Sequence, residues 1–213
     1  MAVGSKGNEI QDLPMFPLGT VLFPGAILPV HVFEERYRQL AEFCTSESSV
    51  FGVVLIERGS EVGGGDTRAP VGCLAEIIQH EQFEDGRWAL VVMGTERFKI
   101  VKWLEEKSYP RATIEIIKEN EDLSNFETGI AVLGSVVNLF DRARGLGYDV
   151  PEIDKELFAI GATLNELSYR IAELVPMGPF DAQKILKAPT AQERLDLIED
   201  QIEAFKEILD ARE

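Results

Sequence analysis

Leu13-Pro14-Met15-Phe16-Pro17-Leu18-Gly19 opens a proline-punctuated apolar stretch that runs on through Leu22-Phe23-Pro24-Gly25 to Leu28-Pro29-Val30-His31-Val32-Phe33. Apolar residues punctuated by proline and ended by glycine read as short strands, because proline removes a ladder donor and glycine permits a tight turn. The pattern continues outward. Residues 16–23, 26–33, 50–57, 71–79, 88–93, 98–103 and 112–117 are rich in Val, Ile and aromatics and bounded by Gly, Pro or acidic turns. Asp85-Gly86 between two of these runs predicts a hairpin with a type I′ turn. Residues 34–44 carry Tyr37, Leu40, Ala41 and Cys44 at helical spacing, which predicts one early helix. Closely spaced strands with a single early helix predict a compact, mostly antiparallel β-barrel. The alternation of strands and helices that a doubly wound parallel sheet needs is missing.

After Lys118 the periodicity changes. Ser124-Asn125-Phe126-Glu127 has the capping-box pattern, and Phe126, Ile130, Leu133, Val137 and Phe140 then recur at alternating four and three, predicting a helix that stops near Gly145 or Gly147. A second helix is predicted from Asp154, with Leu157, Ile160, Leu164, Leu167, Ile171 and Leu174 on one stripe and Pro176 just past its end. A short helix follows Asp181. A last one starts at Thr190-Ala191-Gln192-Glu193 and carries Leu195, Ile198, Ile202, Phe205 and Ile208 or Leu209. Isolated helices of this length are marginal in water, so their stripes must pack on one another or on the strands. The expected class is therefore α+β: a disordered leader over residues 1–11, a β-rich domain over 12–118, and an α-helical bundle over 119–213, joined by an acidic linker near Glu119-Asn120-Glu121-Asp122.

Charge narrows the partners. Of the net −16, residues 1–118 hold 12 basic and 17 acidic side chains and residues 119–213 hold 9 and 20, giving −5 and −11. Phosphate backbones are bound by Lys and Arg, so neither nucleic acid nor an anionic membrane is an expected partner. No apolar run reaches the roughly 18–20 residues that span a bilayer, and the first residues lack the apolar core of a secretory signal. Cys44 and Cys73 lie among apolar residues, which predicts buried, reduced thiols and a cytoplasmic protein. His31 and His80 lack companions at metal-ligand spacing, and no metal or other cofactor is expected.

Catalytic patterns find no purchase. Gly63-Gly64-Gly65-Asp66 lacks the Gly-Lys-Ser/Thr that a phosphate cradle requires. No Gly-x-Ser-x-Gly elbow occurs. Asp141, Asp149, Glu152 and Asp154 lack calcium-loop spacing and read as caps or a solvated face.

The opening blocks, continued through Phe33-Glu34-Glu35-Arg36-Tyr37, closely resemble the start of the Lon protease N-terminal domain. Val71-Gly72-Cys73-Leu74-Ala75 is similar to that family's Gly-x-x-Ala strand, Met93 to Ile100 to its Gly-x-x-Arg-Phe hairpin, and Tyr109-Pro110-Arg111-Ala112 to its closing strand. Leu167 to Ala172, Asp181 to Leu186 and Glu193-Arg194-Leu195 resemble its last helices. The resemblance implies a PUA-like barrel followed by a helical bundle, and a substrate-binding module. Because the ATPase and peptidase are not matched, the chain reads as non-enzymatic. It implies protein clients, or a separate protease or chaperone, as partners. Pro24, Phe33, Tyr37, Met93 and Phe98 are the candidate contacts, with Arg36 and Arg97 anchoring peptide carboxylates or carbonyls. PUA-like folds also bind RNA or small ligands, which is the alternative reading.

Overall fold

In a computed structural model, residues 5–6, 8–59, 67–105, 107–119 and 126–211 are described. The chain divides into two compact units, Met1–Lys118 and Glu119–Glu213. The predicted cap at Ser124, the acidic linker beyond Glu119 and the triple-glycine loop fall outside the described residues.

The first unit contains β1 (Ser5–Lys6), β2 (Glu9–Leu18), β3 (Ile27–Val32), α1 (Glu35–Phe43), β4 (Val50–Arg58), β5 (Thr67–Gln82), β6 (Trp88–Trp103) and β7 (Arg111–Ile116). Strand β2 pairs in parallel with β4 and antiparallel with β7, β5 links β4 to β6, and β6 pairs with β7. The pairing therefore runs round in a ring, with β3 added to the first half of β6. Inside lie Leu13, Met15, Val54, Leu74, Phe98, Ala112 and Ile114. Two glycines make room for the Phe98 ring: a Cβ on Gly52 or Gly72 would come within 2.9 or 2.7 Å of its Cζ.

Three local expectations change. The strand expected over 16–23 is β2, over Glu9–Leu18, so residues 9–11 of the expected leader are strand, as are 5–6. Besides the adjacent Lys6 and Ser5 of β1, Glu9 and Ile10 pair with Glu115 and Ile114, a distant contact that local composition does not reveal. A bulge follows, where Asp12 takes φ 61° and its carboxylate accepts from Arg111 at 2.5 Å; Asp is among the few residues that tolerate this conformation. Residues 88–103 form one strand, not two, and the expected Gly-x-x-Arg-Phe hairpin is a bulge within it, between Gly94 and Arg97. The Asp85-Gly86 hairpin exists, but only Gly86 has positive φ (82°). Gly86 N–H donates to Phe83 C=O at 2.8 Å, so the turn closes over four residues and is not type I′.

The early helix is as expected: Tyr37, Leu40, Ala41 and Cys44 are buried, and Phe16 stacks on Tyr37 with ring centroids 4.2 Å apart. A π-helical turn, Cys44–Ser48, carries the chain into β4.

The second unit contains α2 (Phe126–Gly145), α3 (Lys155–Ala159), α4 (Leu164–Leu174), α5 (Pro179–Lys187) and α6 (Ala191–Asp210). The buried face of α2 is Gly129, Val132, Leu133, Val136, Leu139, Phe140 and Ala143, rotated from the expected stripe so that Phe126 is exposed. Gly129 explains the rotation. A Cβ there would lie 2.8 Å from Leu164 Cδ1 and 2.9 Å from Leu167 Cδ2, so α4 packs directly on the helix backbone.

The predicted single helix from Asp154 is two. Asp154 caps α3, accepting from Glu156 and Leu157 N–H, but Gly161 at φ 67° ends that turn. Leu157 and Ile160 are left 69% and 70% exposed. Thr163 restarts the chain with a reciprocal capping box: its hydroxyl accepts from Glu166 N–H at 3.2 Å, and Glu166 Oε2 accepts from Thr163 N–H at 2.7 Å. The Thr163 N–H first, and then the Thr163 hydroxyl, which donates to the same Oε2 at 3.0 Å, hold the Glu166 carboxyl below its ordinary 4.5. Thr163→Ala is expected to cost about 1 kcal/mol, read as faster amide exchange in the first turn of α4. Because a depressed carboxyl pKa adds stability above the unfolded value, the Glu166 share is present at neutral pH. It fades as pH falls through the folded pKa, below 4.5.

Helix α6 starts at Thr190, whose hydroxyl accepts from Glu193 N–H at 3.2 Å. Its core face is Leu195, Ile198, Ile202 and Leu209, together with Arg194, which is 0% exposed. The Arg194 guanidinium donates to Ser168 Oγ at 2.8 Å, to Ala188 C=O at 3.3 Å and to Asn165 Oδ1. It lies 4.2 Å over the Tyr169 ring and 3.5 Å from Glu119, which also accepts from Tyr169 O–H at 2.8 Å. This network ties α4, α5 and α6 to the first residue of the unit.

Candidate functional site

Among the described residues β3 pairs with β6 alone, so its second edge is open. Gly94 N–H donates to Ala26 C=O at 2.9 Å. The alternation of an antiparallel ladder then turns the backbone groups of Ile27, Pro29 and His31 away from β6. Pro29 sits where its missing N–H costs no ladder bond, which is the place an edge strand allows proline.

The side chains alternate as well. Val30 and Val32 are buried, while Ile27, Pro29 and His31 are exposed. Phe33, one step beyond the strand, continues the exposed series at 60%. Met93, Val91 and Ala89 stand opposite Ile27, Pro29 and His31 and are half-buried beside them. Ile78, in the bulge of β5 facing Val91 and Val92, adds another exposed apolar side chain. The result is an apolar strip along an unpaired edge. Glu76 and Glu81, exposed on β5, give it an acidic border.

Cavities flank Phe33. One of about 130 Å³ is lined by His31, Val32, Phe33, Phe83, Arg87 and Trp88. A smaller one of about 30 Å³ is lined by Phe16, Leu18, His31, Val32, Phe33, Glu34 and Tyr37. Trp88 Nε1 is buried without a hydrogen-bond partner among the described residues. Arg87 pairs with Asp85 at 2.7 Å and, donating from both backbone and side chain, holds that carboxyl below its ordinary 3.8.

The other end of the strip is built by Phe23-Pro24-Gly25-Ala26. Ala26 N–H donates to Phe23 C=O at 3.1 Å and Gly25 has φ 83°, the geometry of a turn with proline second and glycine third. Gly94 receives this turn: its C=O accepts from Gly25 N–H at 2.8 Å, and a Cβ on it would lie 2.1 Å from Phe23 O. Pro24 and Met93 are half-buried at this end.

Of the residues expected to make contacts, Pro24, Phe33 and Met93 therefore reach the surface. Tyr37, Arg97 and Phe98 do not. Phe98 belongs to the core of the ring, Tyr37 lies under Phe16, and Arg97, which the bulge after Gly94 places opposite the buried Cys73 on the other face of the sheet, is 1% exposed. Arg36 is committed locally, 3.2 Å from Glu34 and 4.4 Å over the Tyr37 ring. Ile27, His31, Phe83 and Trp88 are not among the expected contacts. The clue to the first two was Pro29, which demotes its strand to an edge and so marks the strand's outward residues.

Nucleophilic chemistry has little to work with. Cys44 and Cys73 are both buried, and burial pushes the Cys44 thiol up to about 12. Among the described residues no group of His, Cys, Asp or Glu is placed to hold a metal ion, and no helix is long and apolar enough to cross a membrane.

The family model for the ATP-dependent protease La (LON) substrate-binding domain matches residues 12–204. The chain belongs to the Lon substrate-binding domain family. Lon protease of Syntrophus aciditrophicus is 29% identical over 87% of this chain and 24% of its own length. Lon protease 2 of Myxococcus xanthus is 28% identical over 96% of this chain and 25% of its own. The chain thus spans about a quarter of the length of these Lon relatives. In structure it is similar to a Lon N-terminal domain protein from Xanthomonas campestris, with a TM-score of 0.65, 25% identity, and 90% and 98% of the two chains covered. The N-terminal domain of Mycobacterium avium complex Lon shares the fold at a TM-score of 0.61 and 17% identity, covering 91% and 98%. The Lon N-terminal fold therefore comprises the mixed sheet and the helices described above.

Proposed function

We propose that the outward face of β3 binds extended, apolar segments of client proteins without itself carrying out catalysis. The observation that carries this reading is the strip Ile27, Pro29, His31 and Phe33 on a strand whose second edge is unpaired. A client segment laid along that edge would pair with the free backbone groups of Ile27 and His31. Its alternate side chains would rest on Met93 and Val91 and enter the hollow beside Phe33. Because Pro29 supplies no donor, the edge is a poor template for uncontrolled pairing, which suits a surface that must release what it binds. In this reading the ring of strands is a PUA-like barrel, the second unit is a helical bundle, and the clients pass to a separate protease or chaperone. Membership of the Lon substrate-binding family supports the assignment to protein clients.

The test is fluorescence anisotropy of the full chain with a labelled, reduced and carboxymethylated protein that cannot refold. Phe33→Asp and Ile27→Asp are each expected to weaken binding at least about tenfold, the scale of losing an apolar anchor at an interface centre. Val101→Asp, at an equally exposed apolar site in the second half of β6, should leave it unchanged. Equal losses from all three would show that binding does not depend on β3.

A further inference from the structure

The second unit holds a larger apolar hollow that the β3 surface does not use. It has a volume of about 300 Å³ and lies between the end of α2, the loop that follows, Pro176 and the last turns of α6. Phe140, Tyr148, Pro176, Phe205 and Ile208 form its walls, and Ile208 is half exposed at its mouth. At the lower end of the roughly 300–1,000 Å³ typical of ligand sites, it suits one or two side chains rather than a large cofactor.

One lining residue is charged. Asp149 is exposed on the loop after α2 and, among the described residues, has no ion-pair partner. The bases nearby are already engaged: Arg142 with Asp210 at 2.5 Å, Arg144 with Asp141 at 2.8 Å, and Lys206 with Glu203 at 2.6 Å. The unit carries 20 acidic against 9 basic side chains. An apolar hollow with one uncommitted carboxylate in an acidic field is complementary to an apolar side chain flanked by a cation.

We propose that this hollow is a second docking site, which receives an apolar side chain of an amphipathic, basic segment of a partner protein and pairs a lysine or arginine of that segment with Asp149. It is independent of the β3 surface: it lies in the other compact unit and selects for charge, whereas the β3 strip selects for extended apolar chain.

The experiment is anisotropy of the full chain with three labelled peptides: an amphipathic leucine–lysine helix, the same peptide with glutamate for lysine, and the same peptide with serine for leucine. Only the first is expected to bind. Asp149→Lys should weaken it about fivefold at low salt, as reversal of one exposed pair allows. Ile208→Asp should weaken it at least about tenfold by placing a charge against the apolar wall. Glu199→Lys, an exposed site elsewhere on α6, changes the net charge as much as Asp149→Lys and should have no such effect. Equal weakening by Glu199→Lys, or equal binding of the serine peptide, would reduce the effect to general attraction and overturn the proposal. Sedimentation in which the unmodified chain dimerises and Ile208→Asp does not would overturn it in favour of a second copy as the occupant. Phe33→Asp should bind the lysine peptide normally, so failure of the β3 reading and failure of this one remain distinguishable.

Discussion

Replacing Arg194 with alanine is expected to destabilise the second unit by about 3–5 kcal/mol, the scale of removing one partner from a buried charged network. The guanidinium is fully buried and serves Ser168, Ala188, Asn165 and Glu119 while covering the Tyr169 ring. Alanine leaves those acceptors facing a cavity, and each unsatisfied buried group costs about 1–3 kcal/mol. Glu119 is 31% exposed, so water can recover part of its share. Arg194→Met refills the stem volume and should lose less, about 1–3 kcal/mol, through unmet acceptors alone. Arg194→Lys keeps the charge but not the planar fork that reaches several acceptors at once. Amide exchange in α4 and α6 should rise in the order Met or Lys, then Ala, while β4 and β5 stay protected. A uniform rise over both units would show that the network does not act locally.

A comparable loss, about 3 kcal/mol or more, is expected from Gly94→Ala, because over-packing against rigid backbone has no low-energy escape. The added methyl would sit 2.1 Å from the Phe23 carbonyl oxygen and 3.1 Å from Leu22 Cγ. The Phe23–Ala26 turn would have to lift away, losing the bonds of Gly94 to Gly25 and Ala26. Gly25→Ala is the contrasting case. No atom lies within 4 Å of its Cβ position, and only φ 83° opposes it, so about 1–2 kcal/mol is expected. Thermal unfolding should separate the two variants. Gly94→Ala should also raise exchange along β3 and weaken client binding, since that turn sets where Ile27 meets Met93. If both glycine variants lost the same stability, backbone conformation rather than close approach would be the constraint at Gly94.

Much of the architecture could be read residue by residue. The stripe of α1, the Pro24-Gly25 turn, the start of α6 and the strand-then-helix order all rest on interactions within a few residues. The break before α4 was equally legible: Gly161 and the Thr163-x-x-Glu166 pattern are a stop and a start, outweighed in the sequence reading by a continuous apolar spacing through Leu157 and Ile160. Other features were not local. Strand β2 extends back to Glu9 with the distant β7 beside it, and α2 turns Gly129 inward where Leu164 and Leu167 need that space.

The site divides along the same line. Phe33, Pro24 and Met93 could be named from their motifs, but so were Tyr37, Arg97 and Phe98, which the fold buries. Residue type and spacing determined the order of strands and helices, several of their turns and caps, and the resemblance to Lon substrate-binding domains. Which side of each element meets the core was decided by tertiary packing. A bulge at Gly94–Arg97 shifts the alternation of β6, a glycine face rotates α2, and an arginine sits inside because distant acceptors converge on it. Period and propensity carry no information about partners a hundred residues away, and those partners determine what is left on the surface to bind.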